Sequence, residues 1–379
     1  MSPLRAPFLA GVLAASTVAA YPAIPEVAVM RCPDGGIQPA AIADSKGAVH
    51  MVFFKGEPAH GDLFYSTRPP GLADFSEPVR INSIDGAAIA IGTIRGAQLA
   101  LGSEGSIHVA WMGSGKVRPK DDHHKSPMLY SRSTDGGKTF EPQRNLITEA
   151  YGLDGGGAIA ADAAGRVEVF WHSGEPDLGE AGRQIWVARS TDNGKTFSPE
   201  VPISNTDTGV CGCCGMTAGA SGEMSVVLYR SATEGVHRDI YLLKSESHGS
   251  DFQSQRLDRW KTPSCPMSSM SVAFAGKRTV LAWEASGGNI AFSIIGSKIE
   301  RRLPHGNQKK KFPSVALAPD GHLLLAWADG AGWKKGGRLA WQLFDPDGKP
   351  VGKPRLVGGN PIWSKPAAVF SGGTFIIVH

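Results

Sequence analysis

Apolar and polar positions along this chain alternate in short runs, and the runs recur as a hairpin: an apolar strand, a turn ending in Gly, and a second apolar strand closing on an aromatic residue. Six copies can be traced. Their turns are Asp44 to Gly47, Gly102 to Gly105, Asp162 to Gly165, Gly219 to Gly222, a shorter one at Gly276, and Pro319-Asp320-Gly321. The second strands close on Phe53-Phe54, Trp111, Trp171, Tyr229, Trp283 and Trp327. A third apolar strand follows each hairpin, at Leu63-Phe64-Tyr65, Met128-Leu129-Tyr130, Ile185-Trp186-Val187, Ile240-Tyr241-Leu242, Ile290-Ala291-Phe292 and Leu339-Ala340-Trp341. A weaker fourth strand leads into the next unit. Period-two alternation, four strands per unit and a spacing of roughly fifty to sixty residues are the marks of propeller blades, and no stretch holds a helical period. The pattern predicts an all-β, six-bladed β-propeller with four-stranded blades, in one domain spanning 21–379. The terminal strand Thr374 to Val378 is expected to pair with an early strand near Val27 to Met30, covering an edge that would otherwise be exposed.

Composition supports that picture and narrows it. There are 48 Gly and 26 Pro, hydrophobic residues make up 41% and charged residues 20%, as in a turn-rich globular chain with a real core. The net charge of +4 is dispersed. Its densest cluster, Lys309-Lys310-Lys311, lacks the interleaved aromatics that stack bases, so nucleic acid is not expected as a partner. Residues 1–20 carry Arg5, an apolar run from Phe8 through Val18 and the small residues Ala19-Ala20, the three-part form of a cleavable export signal. The expectation is a mature chain from about Tyr21, exported to the periplasm or the extracellular space. That run is too short for a membrane span, and no second one follows.

Two units end their third strand in a sequence with its own physical logic. Ser133-Thr134-Asp135-Gly136-Gly137-Lys138-Thr139-Phe140 and Ser190-Thr191-Asp192-Asn193-Gly194-Lys195-Thr196-Phe197 both read S-x-D-x-G-x-T-F. Asp accepts from turn amides, Gly takes a backbone conformation unfavourable for other residues, and the aromatic plugs between sheets. Degenerate copies run from Ser66 to Phe75 and from Ser245 to Phe252. This is the Asp-box, and with the repeated blades the chain resembles the sialidase-like propeller family over about its whole mature length.

That resemblance implies an exported glycoside hydrolase of the exo-sialidase type acting on acidic glycans, with an arginine triad for the carboxylate, a Tyr assisted by Glu as nucleophile, and an Asp as acid/base. The family's R-I-P motif has two candidate places, Arg31-Cys32-Pro33 by its letters and Ile37-Gln38-Pro39 by its distance from the hairpin turn, and the second lacks the arginine. Equivalent slots hold Arg95-Gly96-Ala97 and Lys311-Phe312-Pro313. Starts of first strands and ends of second strands share one face of a propeller, around its mouth. This nominates Arg95, Arg230, Arg238 and His172 for an anionic ligand, and Tyr229, Glu284 and Asp329 as catalytic groups.

The cysteines open a different reading. Cys211-Gly212-Cys213-Cys214 enters the fourth unit, Cys265 the fifth, and Cys32 precedes the first, all expected near the same mouth. One alternative is a disulfide from the cluster to Cys265, with a second one to Cys32 having to cross the mouth. The other is a soft-metal site, copper or zinc on Cys211, Cys213, Cys214 and Cys265, with His123, His124, His172 or His237 completing the shell. On that alternative the protein is a non-hydrolytic propeller that holds a metal or a protein ligand. A scaffold that only presents loops to another exported protein is the third reading.

Overall fold

A computed structural model describes residues 24–118, 125–174, 176–304 and 306–379. The expected export signal at 1–20 and His123-His124 lie outside the described residues. The chain forms a ring of seven sheets, not six. Six blades are four-stranded, antiparallel and consecutive in sequence. Their innermost strands are Ile37–Ala43, Gln98–Leu101, Ala158–Ala161, Thr217–Ser221, Met270–Ala275 and Lys310–Leu317. The seventh blade joins both ends of the chain: Ala367–Ser371 pairs antiparallel with Thr374–Val378, which pairs parallel with Glu26–Met30. The expected pairing of the terminal strand with the early one is present, and it builds a blade of its own.

The missed blade has a physical reason. In blades one to six the closing aromatic fills the apolar interface with the preceding blade. Trp111 sits between blades one and two, Trp171 between two and three, Tyr229 between three and four, Trp283 between four and five, Trp327 between five and six, and Phe53 between seven and one. The seventh hairpin turns at Gly372-Gly373 and ends at Val378-His379 with no such aromatic. Phe375 and Ile377 fill its interface with blade six. Its third strand lies at the other end of the sequence, so a count of consecutive units passes over it. Each fully buried side chain of Phe size adds roughly 1.5–3 kcal/mol, so seven filled interfaces hold the ring.

The Asp-boxes lock neighbouring blades together. Ser133 Oγ donates to Asp135 and accepts from Gly137 N, while Asp135 Oδ1 accepts from Lys138 N and Thr139 N, both at 3.0 Å. Hydrogen bonds from Thr139 and, in the second box, from Thr196 hold the carboxyls of Asp135 and Asp192 well below the usual range. Each box then leans on a tyrosine of the blade before it: Phe140 meets Tyr65 at 5.6 Å and Phe197 meets Tyr130 at 4.9 Å. Those tyrosines are fixed by a histidine one strand inward, His50 to Tyr65 and His108 to Tyr130, both at 2.7 Å. The degenerate copy at Ser245 keeps the serine-to-Gly249 bond, with Phe252 against Phe170.

Innermost strands of all seven blades surround an axial channel of about 390 Å³. Among the described residues no helix is long and apolar enough to cross a membrane.

Gly194 tests the box as an interblade joint, because it has a φ of +77° and a Cβ there would run into the Tyr130 hydroxyl. Gly194→Ala is expected to cost about 2–4 kcal/mol through backbone strain and overpacking. Urea unfolding reads it as a lower midpoint at unchanged slope. An unchanged midpoint would remove the box from the list of joints.

Candidate functional site

Loops entering the first strands and leaving the second strands gather at one face. There the segment 92–95 crosses the axis. Ile94 is 4% exposed and packs with Phe312 and Ala328 of blade six. A side chain at Gly156 would strike Ile94 O, and at Gly155 and Gly215 it would crowd the Ile94 side chain, so glycines of the loops entering blades three and four make room for the crossing. The mouth is therefore plugged by the chain rather than open as a bowl.

Gln38-Pro39 begins the inner strand of blade one, whereas Arg31-Cys32-Pro33 lies in the connection before it. Spacing, not letters, selects the equivalent position. Gln38 has φ +55° within a bulge, and Phe312 has φ +54° within the same irregularity in blade six. The Gln38 side chain donates to Ala90 O and Trp363 O, tying blade one to the crossing loop and to blade seven.

The nominated arginines are all engaged within the fold. Arg230 is 1% exposed; its guanidinium donates to Ser268 Oγ at 2.9 and 3.1 Å, to Arg238 O at 2.6 Å and to Glu284 O at 2.7 Å, and lies over the Trp260 ring. Arg238 is paired with Glu180 at 2.7 Å, and the other oxygen of Glu180 accepts from Gly212 N at 2.8 Å. Arg95 donates to Asp154 O, Asp154 Oδ1 and Ile91 O. His172 Nε2 accepts from Asp154 N at 3.0 Å, and burial holds its ring neutral. Arg95 and His172 thus share Asp154, while Arg230 and Arg238 belong to the cysteine side of the mouth.

Of the three nominated catalytic groups, Glu284 alone joins that assembly. Its Oε1 accepts from Lys311 Nζ at 3.0 Å, Lys311 also donates to Pro266 O, and burial pushes the carboxyl up to about 7. Tyr229 lies between blades three and four, stacked on Tyr241 and bonded to Thr208, with burial pushing its hydroxyl up to about 12. Asp329 accepts from Trp327 Nε1 and faces Lys310 and Arg338. Neither is bonded to Glu284, although Lys310, which faces Asp329, adjoins the Lys311 that bonds Glu284.

Four of the five cysteines do converge. Cys213 and Cys265 form a disulfide joining the loops into blades four and five. Cys211 Sγ stands 3.6 Å from Cys213 Sγ, 3.9 Å from Cys265 Sγ and 3.2 Å from Cys214 Sγ. Cys211 and Cys214 are buried thiols, and Cys213 and Cys265 are half-buried. Cys214 is held below the usual thiol range: burial opposes this, but the Cys211 hydrogen bond and the Arg230 guanidinium outweigh it. The same hydrogen bond pushes Cys211 far up. Cys32 stands apart, packed with Val49, Met51 and Ile376 between blades seven and one, its thiol raised to about 12 by burial.

Sequence reasoning did not nominate Glu180, Ser268 or Ile94. Glu180 lies 58 residues before its partner Arg238, and Ser268 lies 38 residues after Arg230. An apolar Ile in the glycine-flanked loop 91–96 was the one visible signal of the crossing.

No protein-family model matches the chain, and no curated protein sequence matches it. Solved structures do. A Dyadobacter fermentans protein of unknown function aligns at TM-score 0.54 and 14% identity over 86% of this chain and 96% of that one. A Penicillium chrysogenum α-L-arabinanase complexed with arabinobiose aligns at 0.55 and 14% over 85% and 98%. The leech intramolecular trans-sialidase complexed with 2,7-anhydro-Neu5Ac aligns at 0.50 and 10% over 86% and 78%. The chain is a distant structural relative of sialidase and arabinanase propellers. At these identities the likeness is one of fold.

Arg230 serves to test whether the mouth arginines build the fold. Replacing it with Met leaves Ser268, Arg238 O and Glu284 O without their donor, and about 2–4 kcal/mol of stability should be lost. Denaturant unfolding of Arg230→Met measures this. Wild-type stability would mean that the guanidinium is free for a ligand.

Proposed function

We propose that this chain is a non-hydrolytic propeller whose working centre is the cysteine cluster, and that, with Cys213 and Cys265 reduced, it holds one thiophilic ion among Cys211, Cys213 and Cys265. The two separations from Cys211 carry the reading; the third pair, Cys213 and Cys265, is joined as a disulfide, and its sulfurs must part on reduction before both can ligate. Metal–sulfur bonds of about 2.3 Å place ligating sulfurs roughly 3.8–4.0 Å apart in tetrahedral or trigonal arrangements. Cys211 stands at 3.6 and 3.9 Å from the other two. Three thiolates, one buried and two half-buried, favour copper(I), and zinc is the second choice. The Glu180 bond to Gly212 N and the Arg230 bonds to Ser268 give the loop its supporting shell. Residues 1–20 support export, and in such an oxidising compartment the centre forms only where a reductant opens the Cys213–Cys265 disulfide.

The glycosidase reading rests on the shared fold. Against it stand the pairing of Arg95 and Arg238 with carboxylates, the burial of Arg230 and the crossing of the mouth by Ile94. An acidic glycan would have to displace these contacts.

Anaerobic competition of reduced protein against a copper(I) chelator tests the proposal. The expected result is one copper per chain, lost in Cys211→Ser and in the oxidised protein. Copper left entirely with the chelator, or binding indifferent to Cys211→Ser, would end this reading.

A further inference from the structure

The axial channel is lined by the innermost strands of all seven blades, mostly through Ala, Val, Leu, Ile and Pro. Lys365, just before the inner strand of blade seven, is the one ionisable residue in that lining. Among the described residues no carboxylate faces it, and its ammonium has neither a hydrogen bond nor an ion pair. Protein surrounds the side chain on all sides while it keeps some exposure to the channel, as expected of a group on the wall of a narrow bore. Burial alone lowers its ammonium to about 8. Lys365 is thus the one formal charge in a bore whose side chains are mostly apolar and whose exposed surface is largely polar through the free backbone edges of the inner strands, and an anion entering the bore would be its charge partner.

Two further donors face the same space. Ser271 Oγ accepts from Val315 N at 3.1 Å and Ser314 Oγ from Ala368 N at 2.9 Å, which leaves each hydroxyl proton for another acceptor. Both serines line the channel. Its volume of about 390 Å³ falls in the range of small-molecule sites.

We propose that the axial channel binds a small monocarboxylate with a short apolar tail, the carboxylate paired with Lys365 and the tail lying along the Ala- and Val-rich wall. One cation matches one negative charge, whereas a dianion would leave a charge uncompensated among apolar side chains. The segment 92–95 closes the mouth end, so the ligand enters from the face that carries the Asp-box turns. The site is built from other residues than the cysteine cluster and does not rest on the metal reading.

Butyrate and its uncharged isostere butanamide are the probes, each at fixed ionic strength. Lysine ammonium NMR follows Lys365, with its signal assigned by Lys365→Met. Butyrate should move the Lys365 titration upward by about one unit or more and raise the melting temperature in a saturable way. Butanamide should do neither. Lys365→Met, which replaces a lone charge with an apolar chain of similar length, should fold and lose the butyrate response, and Lys365→Arg should keep the stabilisation. Equal effects of the two probes, or a butyrate response that survives in Lys365→Met, would overturn the proposal.

Discussion

Everything at the mouth depends on closure of the ring by a blade shared between the two ends of the chain. Glu26–Met30 runs parallel to Thr374–Val378 over five paired residues, and no covalent link holds them. That pairing gives the seventh blade its outer strand and ties the two ends of the chain into one sheet. The number of blades sets the bore of the channel, and the bore sets how far the entry loops reach across it. With seven inner strands around the axis, a single short segment, 92–95, spans from blades three and four to blade six. The Asp-boxes of blades two and three then tie each blade to the one before it through tyrosine and histidine.

Within that frame the mouth is organised around a buried arginine. Arg230 collects Ser268, Arg238 O and Glu284 O from three separate segments, and its charge sits beside Cys214. A cation buried with four hydrogen bonds builds a rigid site rather than an open hand for a ligand. The cysteine loop is held from the other side by Glu180, which bonds both Arg238 and Gly212 N. Neighbours that do not themselves ligate hold the cysteine loop in place, and reduction of the Cys213–Cys265 disulfide is the step that would free three sulfur donors there.

Much of this was legible in the sequence, and the limits were physical. Six blades could be read because each carries its own turn and its own interface-filling aromatic. The seventh divides its strands between residues 26–30 and 367–378, and a repeat count along the chain has no access to a unit split in this way. One trace of it remained: Ser364-Lys365-Pro366 stands where Ile37-Gln38-Pro39 and Lys311-Phe312-Pro313 stand in blades one and six. Convergence of Cys211, Cys213, Cys214 and Cys265 followed from their places at the entries to adjacent blades. Cys32 shares that level of the ring but lies on the far side, between blades seven and one, so a position along the axis did not fix its partners. The engagement of Arg95, Arg230 and Arg238 could not be read, since their acceptors lie on other loops and include backbone carbonyls that leave no mark in sequence.

The most direct test of the central claim is X-ray absorption on the reduced protein loaded with one equivalent of copper(I). A centre built by Cys211, Cys213 and Cys265 gives a coordination shell of three sulfur scatterers. A shell of nitrogen and oxygen, or a single sulfur, would contradict it and return the cysteine loop to a purely structural role.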